Sequence, residues 1–222
     1  MKKIIISLLV IFIVMLGVTG CKNKSALEFK NEYESLNGVV NKAGKEHRTI
    51  TIAEDNPYIK VTPEEIVKKI ENKDTFYLYV GDPVCPGCRS VLEKSIEVAK
   101  NSEVKKIYYI EIWDDEGTEI LRDKYELKDG EIVKTIEGTD SYKKLLEYFD
   151  SLLSEYNLTD SNGEKVSTGE KRIYAPNYFY IEKGIAKKLV EGISEKQKDS
   201  REELTKEMLE DEQKQFEELF NN

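Results

Sequence analysis

Apolar and polar positions along the 222-residue chain change period several times, and each change marks an element. Ile4 to Val18 is a run of 15 residues without a charge, behind Met1-Lys2-Lys3. That length suits the apolar region of a signal peptide and falls short of the roughly 20 residues of a membrane-spanning helix. Lys22 to Glu46 turns polar, a tether in which Phe29, Tyr33, Leu36 and Val40 are spaced for a short helix. Alternation over Thr49-Ile50-Thr51-Ile52 predicts a first strand. Thr62-Pro63-Glu64-Glu65 supplies an N-cap, a proline at the first helical position and acids in the first turn, opening a helix to about Lys73. Thr75 to Val80 is a β-branched and aromatic run, the pattern of a buried strand, and Gly81-Asp82-Pro83 breaks it. Val91, Leu92, Ile96, Val98 and Ala99 then follow helical spacing to about Lys100, and Lys106 to Trp113 reads as the next strand.

Tyr125 to Ile136, with Asp129-Gly130 at its centre, predicts a hairpin. Ser141 to Tyr156 places Leu145, Leu146, Phe149, Leu152 and Leu153 on one helical stripe. Asn177 to Ile181 and Ile185 to Gly192 form a second hairpin around Glu182-Lys183-Gly184. Ser200 to Phe220 is a charged amphipathic helix with Leu204, Met208, Phe216 and Leu219 on one side. Strands and helices in this order predict a mixed α/β domain, followed by a terminal helix in 195–222.

Composition narrows the function classes. The chain is 39% hydrophobic, enough to bury a core, and 35% charged with a net charge of −9. An acidic balance argues against nucleic acid as a partner, and one histidine rules out a His-rich metal site. Asp114-Asp115-Glu116 and Asp160-Ser161-Asn162-Gly163 complete no calcium-ligand loop and read as solvated turns, so no metal is expected. Three cysteines are too few for a disulfide-stapled scaffold, and their odd number requires an account.

Cys21 supplies part of it. Val18-Thr19-Gly20-Cys21 resembles the lipobox of bacterial lipoproteins: a branched apolar residue, two small residues, and the cysteine that receives diacylglycerol. The resemblance implies cleavage after residue 20 and a chain held on the lipid bilayer through acylated Cys21, at the extracytoplasmic face of a bacterial membrane. Disulfide chemistry is permitted there.

Cys85-Pro86-Gly87-Cys88 holds the remaining two. Pro86 suits the first position of the helix, which puts Cys85 at the N-cap, where unpaired N–H groups and the positive end of the dipole favour a thiolate. Cys88 lies one turn further in, placed to resolve a mixed disulfide. Arg89 adds a nearby cation, Asp82 an opposing anion, and Tyr79 stands six residues ahead of Cys85. A structural disulfide closing so short a loop would contribute only about 1.9 kcal/mol in the chain-entropy model. A zinc half-site would need two further ligands, and His47 is the one histidine available.

The strand, breaker, CPGC motif and helix, together with Pro176 ahead of the second hairpin, resemble the thioredoxin family over roughly residues 47–113 and 172–194. The lipoprotein signal narrows this to a likeness with thioredoxin-like lipoproteins associated with bacteriocin maturation and export. The resemblance implies a three-layer sandwich over 47–194, with a central mixed sheet flanked by helices and, relative to the minimal fold, a long insertion at about 114–171 before the loop proline. It implies Cys85 as nucleophile and Cys88 as resolving thiol. It also implies a cis Pro176 facing the pair, with the backbone of Ala175 free to pair with a substrate strand. Departures are Val84 where thioredoxin has tryptophan, and Tyr79 where the family often has a buried carboxylate. The expected activity is thiol–disulfide oxidoreduction on cysteines of exported proteins. It needs a membrane electron donor or acceptor and no organic cofactor. Two alternatives stay open: a redox-silent binding or accessory lipoprotein of the same fold, and a dedicated reductant of one client such as apocytochrome c.

Overall fold

The computed structural model describes residues 24–114 and 118–221. Five helices and nine strands are built from them: α1 (24–34), β1 (Tyr58–Lys60), α2 (Pro63–Glu71), β2 (Phe76–Gly81), α3 (Pro86–Asn101), β3 (Ile107–Glu111), β4 (Lys124–Lys128), β5 (Glu131–Ile136), α4 (Asp140–Phe149), β6 (Glu155–Thr159), β7 (Lys165–Lys171), β8 (Asn177–Glu182), β9 (Ile185–Val190) and α5 (Lys206–Phe220). The central sheet runs β1-β3-β2-β8-β9. β1, β3 and β2 are parallel, whereas β8 and β9 are antiparallel, so the sheet is mixed.

The central strands read as continuous apolar and aromatic runs because both faces of the sheet are covered. Along β2, Phe76, Leu78 and Val80 face a core built with α2 and α4, where Ile66, Ile70, Leu145 and Phe149 pack. Tyr79 faces the other core, built with α1, α3 and α5 from Phe29, Val91, Leu92, Phe216 and Leu219. Register carries the same division across the sheet: Tyr79 is opposite Tyr109 on β3 and opposite Tyr178 on β8. Three tyrosines thus form one row on the α3 face.

Local chemistry accounts for the helix ends. Thr62 and Glu65 form a reciprocal capping box at the start of α2, with Pro63 at the first helical position. Thr139 and Thr205 cap α4 and α5 through their hydroxyls. α5 therefore begins at Lys206, later than the expected Ser200, and Leu204 stays outside it.

Three further expectations are corrected. Thr49–Ile52 forms no strand and pairs with none among the described residues. Side chains satisfy its backbone instead: Asn37 brackets Ile50 at both N–H and C=O, Glu34 accepts from the Ile52 nitrogen, and Lys30 donates to the Ile52 carbonyl. The first sheet strand is Tyr58–Lys60. The short helix expected within 22–46 is α1, which docks Ala26, Phe29 and Tyr33 in the core ahead of the expected boundary at 47, whereas Leu36 and Val40 lie beyond its end.

The helix expected over Ser141–Tyr156 ends at Phe149, followed by a 3₁₀ turn at Asp150–Leu152. Leu153 is buried at the reversal, and the chain returns as β6, paired with β7 through the turn at Asp160–Gly163. Residues 118–171 thus contribute α4 to the core and two peripheral hairpins. Around them Glu119, Arg122 and Arg172 form a buried ion cluster, with Glu119 to Arg122 at 2.8 Å and to Arg172 at 3.4 Å.

Candidate active site

β2 and α3 position the two thiols. β2 ends at Gly81, where a Cβ would overlap the Cζ and Oη of Tyr79, so the glycine lets the tyrosine ring lie over its backbone. Asp82 then closes the turn: one carboxylate oxygen accepts from the Val84 nitrogen at 3.0 Å and the other from the Trp113 nitrogen at 3.1 Å. Cys85 follows as the N-cap of α3, with Pro86 at the first helical position.

Both thiols are free. The Cys88 N–H donates to the Cys85 sulfur at 3.3 Å, and the Cys85 thiol donates to the Ala175 carbonyl at 3.5 Å. The Ala175–Pro176 peptide is cis. Gly87 lies below this proline: a Cβ there would stand 3.0 Å from Ile193 Cδ1 and 3.1 Å from Pro176 Cδ. Asn177 fixes the loop, accepting from the Tyr174 nitrogen at 2.7 Å and donating to the Pro176 carbonyl at 3.0 Å. Cys85 keeps 8% of its surface exposed, Cys88 none, and the neighbouring Val84 is 40% exposed.

Electrostatics separates the two sulfurs. Hydrogen bonding from the Cys88 thiol, and then from the Cys88 and Gly87 N–H groups, holds Cys85 below its ordinary value against the opposing effects of burial and Asp82. Burial first, and then the neighbouring Cys85, push Cys88 up; the Tyr79 hydroxyl and the Asp82 N–H work in the other direction. A thiolate is therefore favoured at the accessible sulfur and a thiol at the buried one. Burial raises Asp82 itself to about 6.

The expected modulators fall in different places. Asp82 and Tyr79 both act on the pair. Arg89 is buried and spends its guanidinium on oxygen atoms: Tyr33 O at 2.8 Å, Pro83 O at 3.1 Å, Arg48 O at 2.6 and 2.9 Å, and Asn37 Oδ1 at 2.6 Å. It ties α1 and residues 37–48 to the cysteine loop. Sequence reasoning missed Tyr33 and Tyr109, which border the site from α1 and β3. The four-residue spacing of Phe29 and Tyr33 marked a buried helix face, although not its destination. Cys21 lies outside the described residues, as do Asp115 and Glu116.

A cavity of about 230 Å³ opens beside the cysteine loop, lined by Asp82, Pro83, Val84, Glu111 and Trp113 together with Glu32 of α1 and Leu36 just after it. A roomier one of about 540 Å³ sits at the far end of β2, against Thr75 and Phe220, away from both sulfurs. Among the described residues, no group of three or more His, Cys, Asp or Glu side chains is placed to hold a metal ion, and no helix is long and apolar enough to cross a membrane. No protein-family model matches the chain, and no curated protein matches it.

Proposed function

We propose that this chain is a thiol–disulfide oxidoreductase of thioredoxin-like fold that acts on cysteines of exported proteins. The single observation that carries the reading is the asymmetry of the pair. Cys85, hydrogen-bonded as a favoured thiolate, sits at a helix N-terminus beside the Ala175 carbonyl, and Cys88 waits fully buried behind it. A five-stranded mixed sheet with helices on both faces supports the fold assignment.

In the forward direction, the Cys85 thiolate attacks one sulfur of a substrate disulfide, and the other substrate sulfur leaves as a thiolate. Cys88 loses its proton and attacks the Cys85 sulfur, which forms the Cys85–Cys88 disulfide and releases the second substrate sulfur. The substrate gains two electrons and the pair loses two. The reverse sequence oxidises a substrate dithiol. A membrane donor or acceptor restores the pair, and the two sulfurs serve as the redox group without an organic cofactor.

Acylation of Cys21 would hold the domain at the extracytoplasmic face of a bacterial membrane. Because residue 24 is already helical, that anchor would place the folded domain close to the bilayer.

The test is Cys88→Ser in cells, which removes the resolving sulfur. Mixed disulfides should accumulate through Cys85 on exported proteins and vanish on reduction. Their absence, together with no dithiol activity in the wild type, overturns the reading.

A further inference from the structure

Cys88 must lose its proton inside a core that excludes water. It is fully buried, and burial favours its thiol form. The titratable groups facing it come from every element around it: Tyr33 of α1, Tyr58 of β1, Tyr79 of β2, Asp82 and Cys85 of the loop, and Tyr178 of β8. Asp82 uses its two carboxylate oxygens on the Val84 and Trp113 N–H groups, so it serves as the clamp of the turn.

The tyrosines are arranged differently. The Tyr79 hydroxyl favours the Cys88 thiolate from within the same buried core. It meets the Tyr33 hydroxyl at 2.9 Å, in a pair where either oxygen can donate. The Tyr33 and Tyr109 rings lie tilted to one another with centroids 6.2 Å apart. Tyr109 donates to Glu111 Oε1 at 3.4 Å. Glu111 is 18% exposed at its side chain, pairs with Lys60 at 2.7 Å and lines the cavity beside the cysteine loop. Tyr33, Tyr79 and Tyr109 are all fully buried. A hydroxyl accepts one proton and donates another, so a chain of them moves a proton without moving an atom far.

We infer that Tyr79, Tyr33 and Tyr109 form a proton relay joining the Cys88 sulfur to the Glu111 carboxylate and the water beyond it. The inference rests on the dithiol reading and names its proton path. As Cys88 attacks the mixed disulfide on Cys85, its proton passes to Tyr79. Tyr79 gives its own to Tyr33, Tyr33 to Tyr109, and Tyr109 to Glu111. Each tyrosine ends neutral, Cys88 ends bonded to Cys85, and the departing substrate thiolate takes its proton from solvent. The same chain run backwards supplies the proton when the pair is reduced.

The experiment isolates the resolving step in the full chain carrying Cys21→Ser, held in detergent. Ellman's reagent converts Cys85 to a thionitrobenzoate mixed disulfide, and release of the second thionitrobenzoate by Cys88 is followed by stopped flow. Tyr79→Phe and Tyr33→Phe keep the rings and remove the hydroxyls. Each should slow the second release about tenfold or more at neutral pH, within the range of a lost proton-transfer group, and the deficit should shrink as pH rises. The first release, which reports Cys85, should not change. Tyr58→Phe removes a hydroxyl that bonds Ser95 at 2.7 Å outside the chain, and should match the wild type in both steps. Wild-type second-release rates in both relay variants, or equal slowing by Tyr58→Phe, would overturn the relay alone. No second release from the wild type would overturn the dithiol reading and the relay with it.

Discussion

The Cys88 backbone nitrogen donates to the Cys85 sulfur at 3.3 Å, so the two cysteines are joined by more than proximity. The Cys88 thiol is the largest influence lowering Cys85, ahead of these N–H groups. Cys88→Ala keeps the N–H and removes the thiol. Cys85 should then titrate at higher pH than in the wild type, read as a rightward shift in the pH profile of iodoacetamide alkylation. An unchanged profile would assign the activation to the helix terminus alone.

Arg89→Lys keeps a positive charge and discards the planar fork that reaches Tyr33, Pro83, Arg48 and Asn37. Stranding several buried acceptors should cost roughly 2–4 kcal/mol of unfolding free energy, given the price of each unsatisfied group. Urea denaturation measures this, and a loss below about 1 kcal/mol would show that the bonds are replaced by water or neighbouring groups.

Gly81→Ala places a methyl group on Tyr79. Overpacking in a dense core costs about 1–3 kcal/mol, and relief would come by turning the Tyr79 ring away from Cys88. The variant should be less stable and slower in the resolving step while Cys85 alkylates normally. A variant that matches the wild type in both would place the ring elsewhere.

Glu212 on α5 is fully buried, and neither carboxylate oxygen has a hydrogen-bond partner among the described residues. Burial lifts it from 4.5 to about 8, partly offset by Lys94 and Arg48. Between those values the unfolded chain releases a proton that the folded chain keeps. This contribution to stability is therefore complete below about 4.5, falls as pH rises through the window, and is flat above about 8. Glu212→Gln should remove that decline, so its Tm advantage over the wild type should grow between about pH 5 and about pH 8. A constant difference across the range would show that the carboxyl is ionised throughout.

Much of the site was legible because it is local. Pro86 and the apolar run after it specify where α3 starts, and that alone puts Cys85 at a cap. Pro176 and the hairpin behind it were readable for the same reason. The N-terminal segment was harder. Ile50 and Ile52 alternate as a strand would, but their backbone partners are side chains of α1 and of the turn after it, many residues earlier. Leu152 and Leu153 continue a helical stripe, and the reversal that buries Leu153 depends on tertiary packing. The tyrosine row needed register: Tyr33 and Tyr79 lie 46 positions apart, and no local pattern announces that their hydroxyls meet.

The central claim is that Cys85 and Cys88 exchange two electrons as one unit. The most direct measurement equilibrates the chain in glutathione buffers of graded potential, traps free thiols with a maleimide and counts the adducts by mass. The account predicts two populations, doubly labelled and unlabelled, interchanging along a two-electron Nernst curve, with Cys85 labelled before Cys88 under limiting reagent. Two thiols that stay labelled at every potential, or a disulfide that glutathione cannot open, would contradict it.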